Sequence, residues 1–165
     1  MLFRSTVNLT VESSAEINFT TNNIDFGSGR VTAPNFNATL QSQLSGAATN
    51  GNWTQPGNGL VLKNIGNANV SITLSAGKTA AQFIGGTGPQ YQWNVTNSVA
   101  GSCATANGCY TFGTFVATNS SNQVCDRLQP GSANALRIDV KLVVPADSYT
   151  GALGDIITAT AVVNP

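Results

Sequence analysis

The chain of 165 residues contains no histidine and only seven basic and seven acidic residues, so its formal net charge is zero. Binding to a nucleic-acid backbone requires a stripe of Lys and Arg, which so few scattered basic residues cannot form. A polybasic patch for anionic lipids is excluded for the same reason. The lack of histidine also removes the most frequent general base of enzymes. We therefore expect no nucleic-acid partner and no enzymatic activity.

Long apolar runs are also missing. No run reaches the roughly 18 residues that a transmembrane helix needs, so we expect no membrane span. Arg4 directly follows Met1, Leu2 and Phe3, which are too few for the apolar region of a signal peptide. The chain is thus expected to be either a mature or trimmed product or a cytosolic protein. Its low charge and its Thr-rich and Asn-rich strands favour an extracellular location.

Motifs for catalysis and for metal binding are absent as well. The sequence has no G-x-S-x-G elbow, no acidic calcium loop, and no Lys-Ser/Thr after the glycines of residues 85 to 88. A carboxylate pair is defined by its separation in space, so the seven acidic residues identify no catalytic pair. We predict no catalytic residue, no metal site and no cofactor, and a structural calcium ion has no motif to support it.

The three cysteines fall within a short segment. Cys103, Cys109 and Cys125 form no CxxC pair, and no histidine accompanies them, which argues against a zinc site. A tight turn at Asn107-Gly108 would place Cys103 opposite Phe112 and not opposite Cys109. The sequence therefore favours a disulfide between Cys103 and Cys125 with Cys109 free and buried, while a Cys103–Cys109 pairing stays open.

Seven Asn-x-Ser/Thr sequons are the most frequent motif in the chain. Four of the asparagines, Asn8, Asn18, Asn69 and Asn94, fall on the polar parity of predicted strands and are expected to point to solvent. Such positions tolerate an N-linked glycan. The alternative is that Asn and Thr simply decorate polar strand faces. The full set of candidate glycosylation sites is Asn8, Asn18, Asn37, Asn52, Asn69, Asn94 and Asn119.

Apolar and polar residues alternate along most of the chain, and no amphipathic helix pattern is found. The sequence therefore predicts an all-β fold, an antiparallel immunoglobulin-like or jelly-roll sandwich of about nine or ten strands. The clearest strand covers residues 135 to 144 and ends at Pro145. Its alternation places Leu136, Ile138, Val140, Leu142 and Val144 toward the core and Arg137, Asp139 and Lys141 toward solvent.

Weaker patterns predict the remaining elements. Gly66-Asn67 is a turn signal for a hairpin between strands at 60 to 63 and 70 to 74. Residues 45 to 59 are expected to be the longest loop, in which Trp53 caps the core or reaches a partner. Further strands are expected at residues 3 to 11, 15 to 19, 24 to 26, 31 to 43, 82 to 84, 91 to 95, 110 to 117 and 155 to 163.

Two stretches carry a resemblance to known proteins. Ile24-Asp25-Phe26-Gly27, followed by the segment from Gly59 to Ile72 with Asn64-Ile65-Gly66-Asn67, resembles immunoglobulin-like surface domains. Residues 135 to 161, with Val144-Pro145-Ala146-Asp147, resemble the closing hairpin of the same group. Together with the sequons, the chain is similar to secreted archaeal cell-surface proteins, in particular subunits of extracellular filaments. The printed sequence departs from type IV pilins and archaellins, which begin with a long apolar helix, but that class stays open as an alternative for a trimmed chain.

This resemblance implies donor-strand complementation, in which an N-terminal strand of one subunit completes the sandwich of the next. We accordingly expect residues 1 to 12 to be an N-terminal strand and residues 13 to 165 to be one sandwich domain. Phe3, Val7, Leu9 and Val11 share one strand face and are the expected polymerisation residues, with Glu12-Ser13-Ser14 as a polar hinge. The alternative is an edge strand that pairs within its own subunit.

The expected function is therefore that of a structural subunit of a glycosylated extracellular filament, with copies of itself as partners. Two alternatives are a surface-layer domain that does not polymerise and an adhesin module that binds surface glycans. The last would use exposed aromatic rings as a stacking platform, for which Trp53, Tyr91, Trp93, Tyr110 and Tyr149 are the candidates. The parity of Tyr91 and Trp93 favours a place in the core instead.

Overall fold

The computed structural model describes residues 9 to 104, 113 to 118 and 121 to 164. Within these ranges the chain forms eleven strands and one short helix, so the predicted antiparallel all-β fold is confirmed. The elements are β1 (Ile17–Thr21), β2 (Asn37–Gln41), β3 (Ser45–Ala47), β4 (Thr54–Pro56), β5 (Leu60–Asn64), β6 (Val70–Ala76), α1 (Ala80–Phe83), β7 (Gln90–Asn97), β8 (Val116–Ala117), β9 (Asn122–Leu128), β10 (Ala135–Pro145) and β11 (Ile157–Val163).

The larger sheet is organised around β10, its longest strand. One edge of β10 pairs with β7 along most of its length. The other edge is divided, because β5 pairs with residues 135 to 138 and β2 pairs with residues 141 to 145. β1 lies outside β5, and β8 lies outside β7. A second sheet has the order β11-β6-β9, and β3 and β4 form a separate hairpin.

The two sheets pack over only part of β10. A first core cluster joins β5, β7 and the first half of β10 to β6 and β9 of the second sheet. A second cluster lies on the other half of β10, with contributions from β2, Ile84 and Tyr91. Among the described residues no strand of the second sheet contributes a fully buried side chain to this cluster. The larger sheet is therefore longer than the sheet that covers it.

The expected hairpin about Gly66-Asn67 is wrong, because β5 and β6 belong to different sheets. The buried Asn64 side chain sets this crossover. Its Nδ2 donates to the carbonyls of Ala68 and Leu128, at 2.8 and 3.1 Å, and its Oδ1 accepts from the Gly66 amide at 3.0 Å. These bonds fold the connection onto the second sheet, so a turn signal alone did not reveal which strands pair.

Several other predicted elements differ from the structure. Residues 82 to 84 were expected to be a strand but belong largely to α1, which begins with a capping box between Thr79 and Gln82. Residues 24 to 26 form no strand, and only Asn37–Gln41 is a strand within residues 31 to 43. The expected loop at residues 45 to 59 contains β3 and β4. In the described part of the chain, no helix has the length and apolar character needed to cross a bilayer.

β9 was not predicted, although it contains Cys125. The disulfide between Cys103 and Cys125 is confirmed, with 5.9 Å between the two Cα atoms. It connects the segment after β7 to β9, beside the bridge that Cys103 forms with Leu128 of the same strand. Cys109 lies outside the described residues. The residues before Cys125 alternate poorly, which explains why periodicity missed the strand.

Asp139 was expected to face solvent, but only 3% of it is exposed. It lies where β2 ends and β5 begins along β10. The Arg137 guanidinium donates to its carboxylate from Nε at 2.8 Å and from Nη2 at 2.9 Å. The Ser42 hydroxyl donates to Oδ1 at 2.9 Å and accepts from the Val140 amide at 2.8 Å. The carboxylate thus closes the junction between the two strands that share this edge.

The Arg137–Asp139 pair provides a test of this junction. Replacing Arg137 by Met should lower the free energy of unfolding by about 3 kcal/mol, because a buried carboxylate loses its bidentate partner. Urea denaturation gives the value. Lys63→Met, which removes a partly buried cation from the adjacent β5, is the matched control and should cost less than about 1 kcal/mol. Equal effects of the two substitutions would contradict the assigned role.

Candidate functional site

The part of the larger sheet without a facing strand contains a groove of about 1100 Å³. Its floor consists of Leu40 from β2 together with Val140, Leu142 and Val144 from β10. Tyr91 from β7 lies beside them. The three β10 residues alternate along one strand and all lie on the side of the groove. They are only 6 to 9% exposed, because partly buried residues of the walls, among them Ile24 and Phe26, pack against them.

Two irregular segments form the walls of the groove, residues 22 to 31 and residues 148 to 157. Neither wall is part of a sheet, apart from the bridge at Val31 and the start of β11 at Ile157. Within the described residues, no amide or carbonyl of residues 22 to 29 or 150 to 155 takes part in a backbone–backbone hydrogen bond of a turn or loop. Two of these groups are bonded to side chains instead, since the Gly27 amide donates to Asp25 and the Gly154 carbonyl accepts from Lys78. Folded proteins pair most of their backbone amides and carbonyls, so the remaining groups of the two segments are open to further partners.

Trp53 closes one side of the groove. Its ring packs against Gly29 and Gly51, and a Cβ placed on Gly51 would lie 2.7 Å from the ring and 2.9 Å from the Cβ of Ala38. Trp53 also packs against the second core cluster. Of the two roles considered for Trp53, the structure therefore supports capping of the core.

Two polar contacts lie at the groove. Tyr91 is 4% exposed, packs edge-on against Phe83 with 5.1 Å between ring centroids, and has its pKa raised by burial and by the Asp155 carboxylate. Asp155 Oδ2 is buried and has no hydrogen-bond partner among the described residues. On the adjoining turn, the Thr87 amide and hydroxyl donate to Asp147 and lower its pKa.

The N-terminal segment lies at the opposite end of the subunit. Leu9 is 86% exposed and Val11 is 74% exposed, and residues 9 to 11 form no strand. The strand predicted at residues 3 to 11 is thus not found in its described part, and Phe3 and Val7 lie outside the described residues. For Leu9 and Val11, the structure does not support pairing as an edge strand of their own subunit.

The expected hinge at residues 12 to 14 is wrong, because the chain is fixed there. The Asn67 side chain accepts from the Ser14 amide at 2.7 Å and donates to the Glu12 carbonyl at 2.9 Å. The Ile65 and Gly66 amides donate to the Glu16 carbonyl. A Cβ on Gly66 would collide with the Ser14 carbonyl, so a glycine is required at this approach. The unpaired segment therefore ends at residue 11.

The segment and the groove occupy opposite ends of the sandwich. β10 runs from the end where Asn67 holds residues 12 to 14, here called the Asn67 end, to the end at Pro145, here called the Pro145 end. β1 runs in the same direction, because both strands are antiparallel to β5. Residues 9 to 11 precede β1 and leave at the Asn67 end, whereas the groove lies toward the Pro145 end.

The sequon asparagines differ in their exposure. Asn18, Asn37 and Asn52 are exposed, and Asn69 is half-buried. Asn94 was expected to point to solvent, but it is only 6% exposed and its Oδ1 has no hydrogen-bond partner in the described part of the chain. It faces Asp139 across β7 and β10, in a stretch of the sheet with strands on both sides. Asn8 and Asn119 lie outside the described residues.

The aromatic candidates do not form a common platform in the described ranges. Trp93 is fully buried and Tyr91 is nearly so, which supports the core assignment for both. Tyr149 is exposed and packs beside Gly85, and Tyr110 lies outside the described residues. No group of three His, Cys, Asp or Glu side chains that could hold a metal ion is found within those ranges.

Comparisons with protein-family models, with curated proteins and with solved structures found no match to this chain.

The contact between Trp53 and Gly51 predicts a stability effect. Gly51→Ala should lower the free energy of unfolding by roughly 1 to 3 kcal/mol, because the added methyl group overlaps both the indole ring and Ala38. Gly154→Ala is the matched control, since no atom lies within 4 Å of its added Cβ, and it should change stability by less than about 1 kcal/mol. Thermal or urea unfolding measures both. A Gly51 variant as stable as the control would show that Trp53 does not occupy this position.

The burial of Asn94 predicts a selective glycosylation pattern. In a host that performs N-glycosylation, glycopeptide mass spectrometry should find glycans at the exposed Asn18 and Asn37 and none at Asn94 of the folded protein. Asn18→Gln should accordingly remove one glycan mass, whereas Asn94→Gln should remove none. A glycan on Asn94 in folded, disulfide-bonded protein would contradict the observed register of β7.

Proposed function

We propose that this protein is the structural subunit of an extracellular homopolymeric filament, in which the N-terminal segment of each subunit joins it to the next by donor-strand complementation. The observation that carries the proposal is the exposure of the apolar side chains of Leu9 and Val11 at the Asn67 end, while a groove lies toward the other end of the subunit. When two different surfaces of identical subunits bind each other, the contact can repeat from subunit to subunit. It builds an open filament unless the rotation between neighbours closes the chain of subunits into a ring.

The exposed apolar residues support a contact with another chain. Leu9 and Val11 share strand parity with Phe3 and Val7 in the sequence, and both described members of the set are largely exposed to solvent. Full burial of each such side chain contributes about 1.5 to 3 kcal/mol. An exposed set of this kind, at the period of a strand, is typical of a segment that pairs with another sheet.

The extracellular location rests on two further observations. A disulfide is present, and such bonds persist mainly in oxidising compartments. Asn18, Asn37 and Asn52 of the sequons are exposed and accessible to glycosylation. Low charge and a surface rich in Thr and Asn fit the same setting. A surface-layer domain that does not polymerise would share all of these features, so assembly is the property to test.

The assembly test uses the full chain. Purified protein should form filaments in negative-stain electron microscopy and a concentration-dependent high-mass species in size-exclusion chromatography. Leu9→Glu should abolish both while leaving the subunit folded, because Leu9 is exposed in the isolated subunit and its replacement disturbs no internal packing.

Thr10→Glu is the matched control for this test. It adds the same charge on the opposite parity of the segment and should leave assembly within about twofold of the original chain. Circular dichroism verifies that both variants are folded. A chain that stays monomeric at all concentrations, or a Leu9 variant that assembles normally, would refute the proposed function.

A further inference from the structure

The outer edge of β11 carries a regular row of backbone groups. β11 is the last strand of the second sheet and pairs with β6 over seven residues without a register shift. The Gly77 amide donates to the Ile156 carbonyl at 3.0 Å, and the Asn164 amide donates to the Asn69 carbonyl at 2.8 Å. Such bonds recur at every second residue of an antiparallel ladder, so the even-numbered residues of β11 bond to β6. The amides and carbonyls of its odd-numbered residues, 157 to 163, therefore point away from β6.

These outward groups have no partner among the described residues. The side chains on the core side of the sheet lead to the same conclusion. Ile72 and Leu74 of β6 are fully buried, whereas Ala161 and Ala159, their neighbours on β11, are only partly buried. Exposure thus increases from β6 to β11, as expected where a sheet edge meets solvent.

Three other outer strands of the two sheets are protected against edge pairing. β1 has a register shift, and β8 has only two residues. β9 contains Asp126 and Arg127, and residues 102 to 104 cover its outer edge, where Cys103 bridges to Leu128. Short, bulged, charged or covered edges are the usual means by which proteins prevent such contacts. β11 has the sequence Ile-Thr-Ala-Thr-Ala-Val-Val, with no charge, no proline and no sequon.

We infer that the outer edge of β11 binds β11 of a second copy of this chain in antiparallel orientation, about a two-fold axis at Thr160. The contact joins two three-stranded sheets into one continuous sheet. It goes beyond the proposed function, because it does not involve the N-terminal segment. It also differs in symmetry, since a two-fold contact closes at two copies and does not propagate.

The pattern of outward groups selects the register. Odd-numbered residues must pair with odd-numbered residues, so that residue 157 lies opposite residue 163 of the copy and residue 159 opposite residue 161. Four such pairs exchange about eight hydrogen bonds. A shift by one residue would place outward groups opposite groups that already bond to β6. A shift by two residues would keep the pattern but shorten the overlap.

The composition of β11 suits pairing with itself. A two-fold axis brings any charge on the strand close to the same charge of the copy, and β11 has none. On the solvent face, Thr160 lies opposite Thr160 of the copy and Thr158 lies opposite Val162. Such pairs of β-branched residues stabilise antiparallel sheets. A contact along one strand edge buries little surface, so we expect weak association.

A disulfide test locates the two-fold axis. Thr160→Cys is introduced into the full chain together with Leu9→Glu, which removes head-to-tail assembly, and Cys109→Ser, which removes the third thiol. Residues opposite each other in a non-hydrogen-bonded pair have Cα atoms about 4.5 Å apart, within the range of a disulfide. Mild oxidation should therefore produce a covalent dimer on a non-reducing gel.

Thr73→Cys in the same background is the matched control. Thr73 lies opposite Thr160 on the same face of β6, one strand further from the proposed axis. The two copies of Thr73 would be three strand spacings apart, about 14 Å, which is too far for a disulfide. This variant should give at least tenfold less covalent dimer than Thr160→Cys.

A charge exchange at the axis tests the contact without a crosslink. In analytical ultracentrifugation, Thr160→Lys and Thr160→Glu should each associate at least tenfold more weakly than the Leu9→Glu chain that carries them, because like charges meet at the axis. An equimolar mixture of the two should recover association. Thr73→Lys should stay within twofold of the parent chain. Circular dichroism verifies that each variant is folded, as expected for the exposed Thr160.

The possible results separate this contact from the proposed function. Equal crosslinking of the two cysteine variants, or a Lys and Glu mixture that associates no better than either variant alone, would overturn the inference. A Leu9→Glu chain that stays monomeric up to about 1 mM would overturn it as well. Filaments that persist in the Leu9→Glu chain would refute the proposed function alone. Covalent dimers of the Thr160→Cys chain would support the edge contact even if the unaltered chain forms no filament.

Discussion

The length of β10 is the constraint on which the rest of the structure depends. Eleven consecutive residues in one strand span about 35 Å, which is longer than the second sheet can cover. Two separate strands, β5 and β2, are consequently needed to pair along one edge of β10, and the buried Asp139 lies where they meet. The half of β10 without a facing strand is covered by irregular segments and by Trp53, which leave a groove between them. The strand length, the junction at Asp139 and the groove therefore have a common origin.

Sequence periodicity predicted the position of this central strand well. It failed to predict the burial of side chains that contacts with neighbouring strands enclose. The alternation of residues 135 to 144 placed Ile138 and Leu142 in the core correctly, because one face of β10 is apolar throughout. The same alternation placed Asp139 and Asn94 in solvent, yet both are buried and face each other on paired strands, and Arg137 and Ser42 enclose the Asp139 carboxylate. Parity distinguishes the two faces of a strand, but it does not report how much of each face the rest of the fold covers.

Of the two candidate features, only the N-terminal segment could be predicted from the sequence; the groove could not. The apolar parity of Leu9 and Val11 is visible in a short window of sequence, and their exposure agrees with a role outside the subunit core. The groove combines residues 22 to 31, β2, β10 and residues 148 to 157, which are far apart in the chain. No local pattern indicates that these segments enclose a common space, because that depends on sheet order and on the crossover set by Asn64.

The attachment of residues 12 to 21 has a mechanical consequence. This stretch runs along the long axis of the sandwich and is bonded sideways to β5 and to the Asn67 turn. A pull on residues 9 to 11 along that axis loads these hydrogen bonds together, in shear, instead of opening them one after another from the end. The subunit therefore resists tension along its length better than tension applied across β1, and its strongest direction coincides with the direction in which the N-terminal segment leaves.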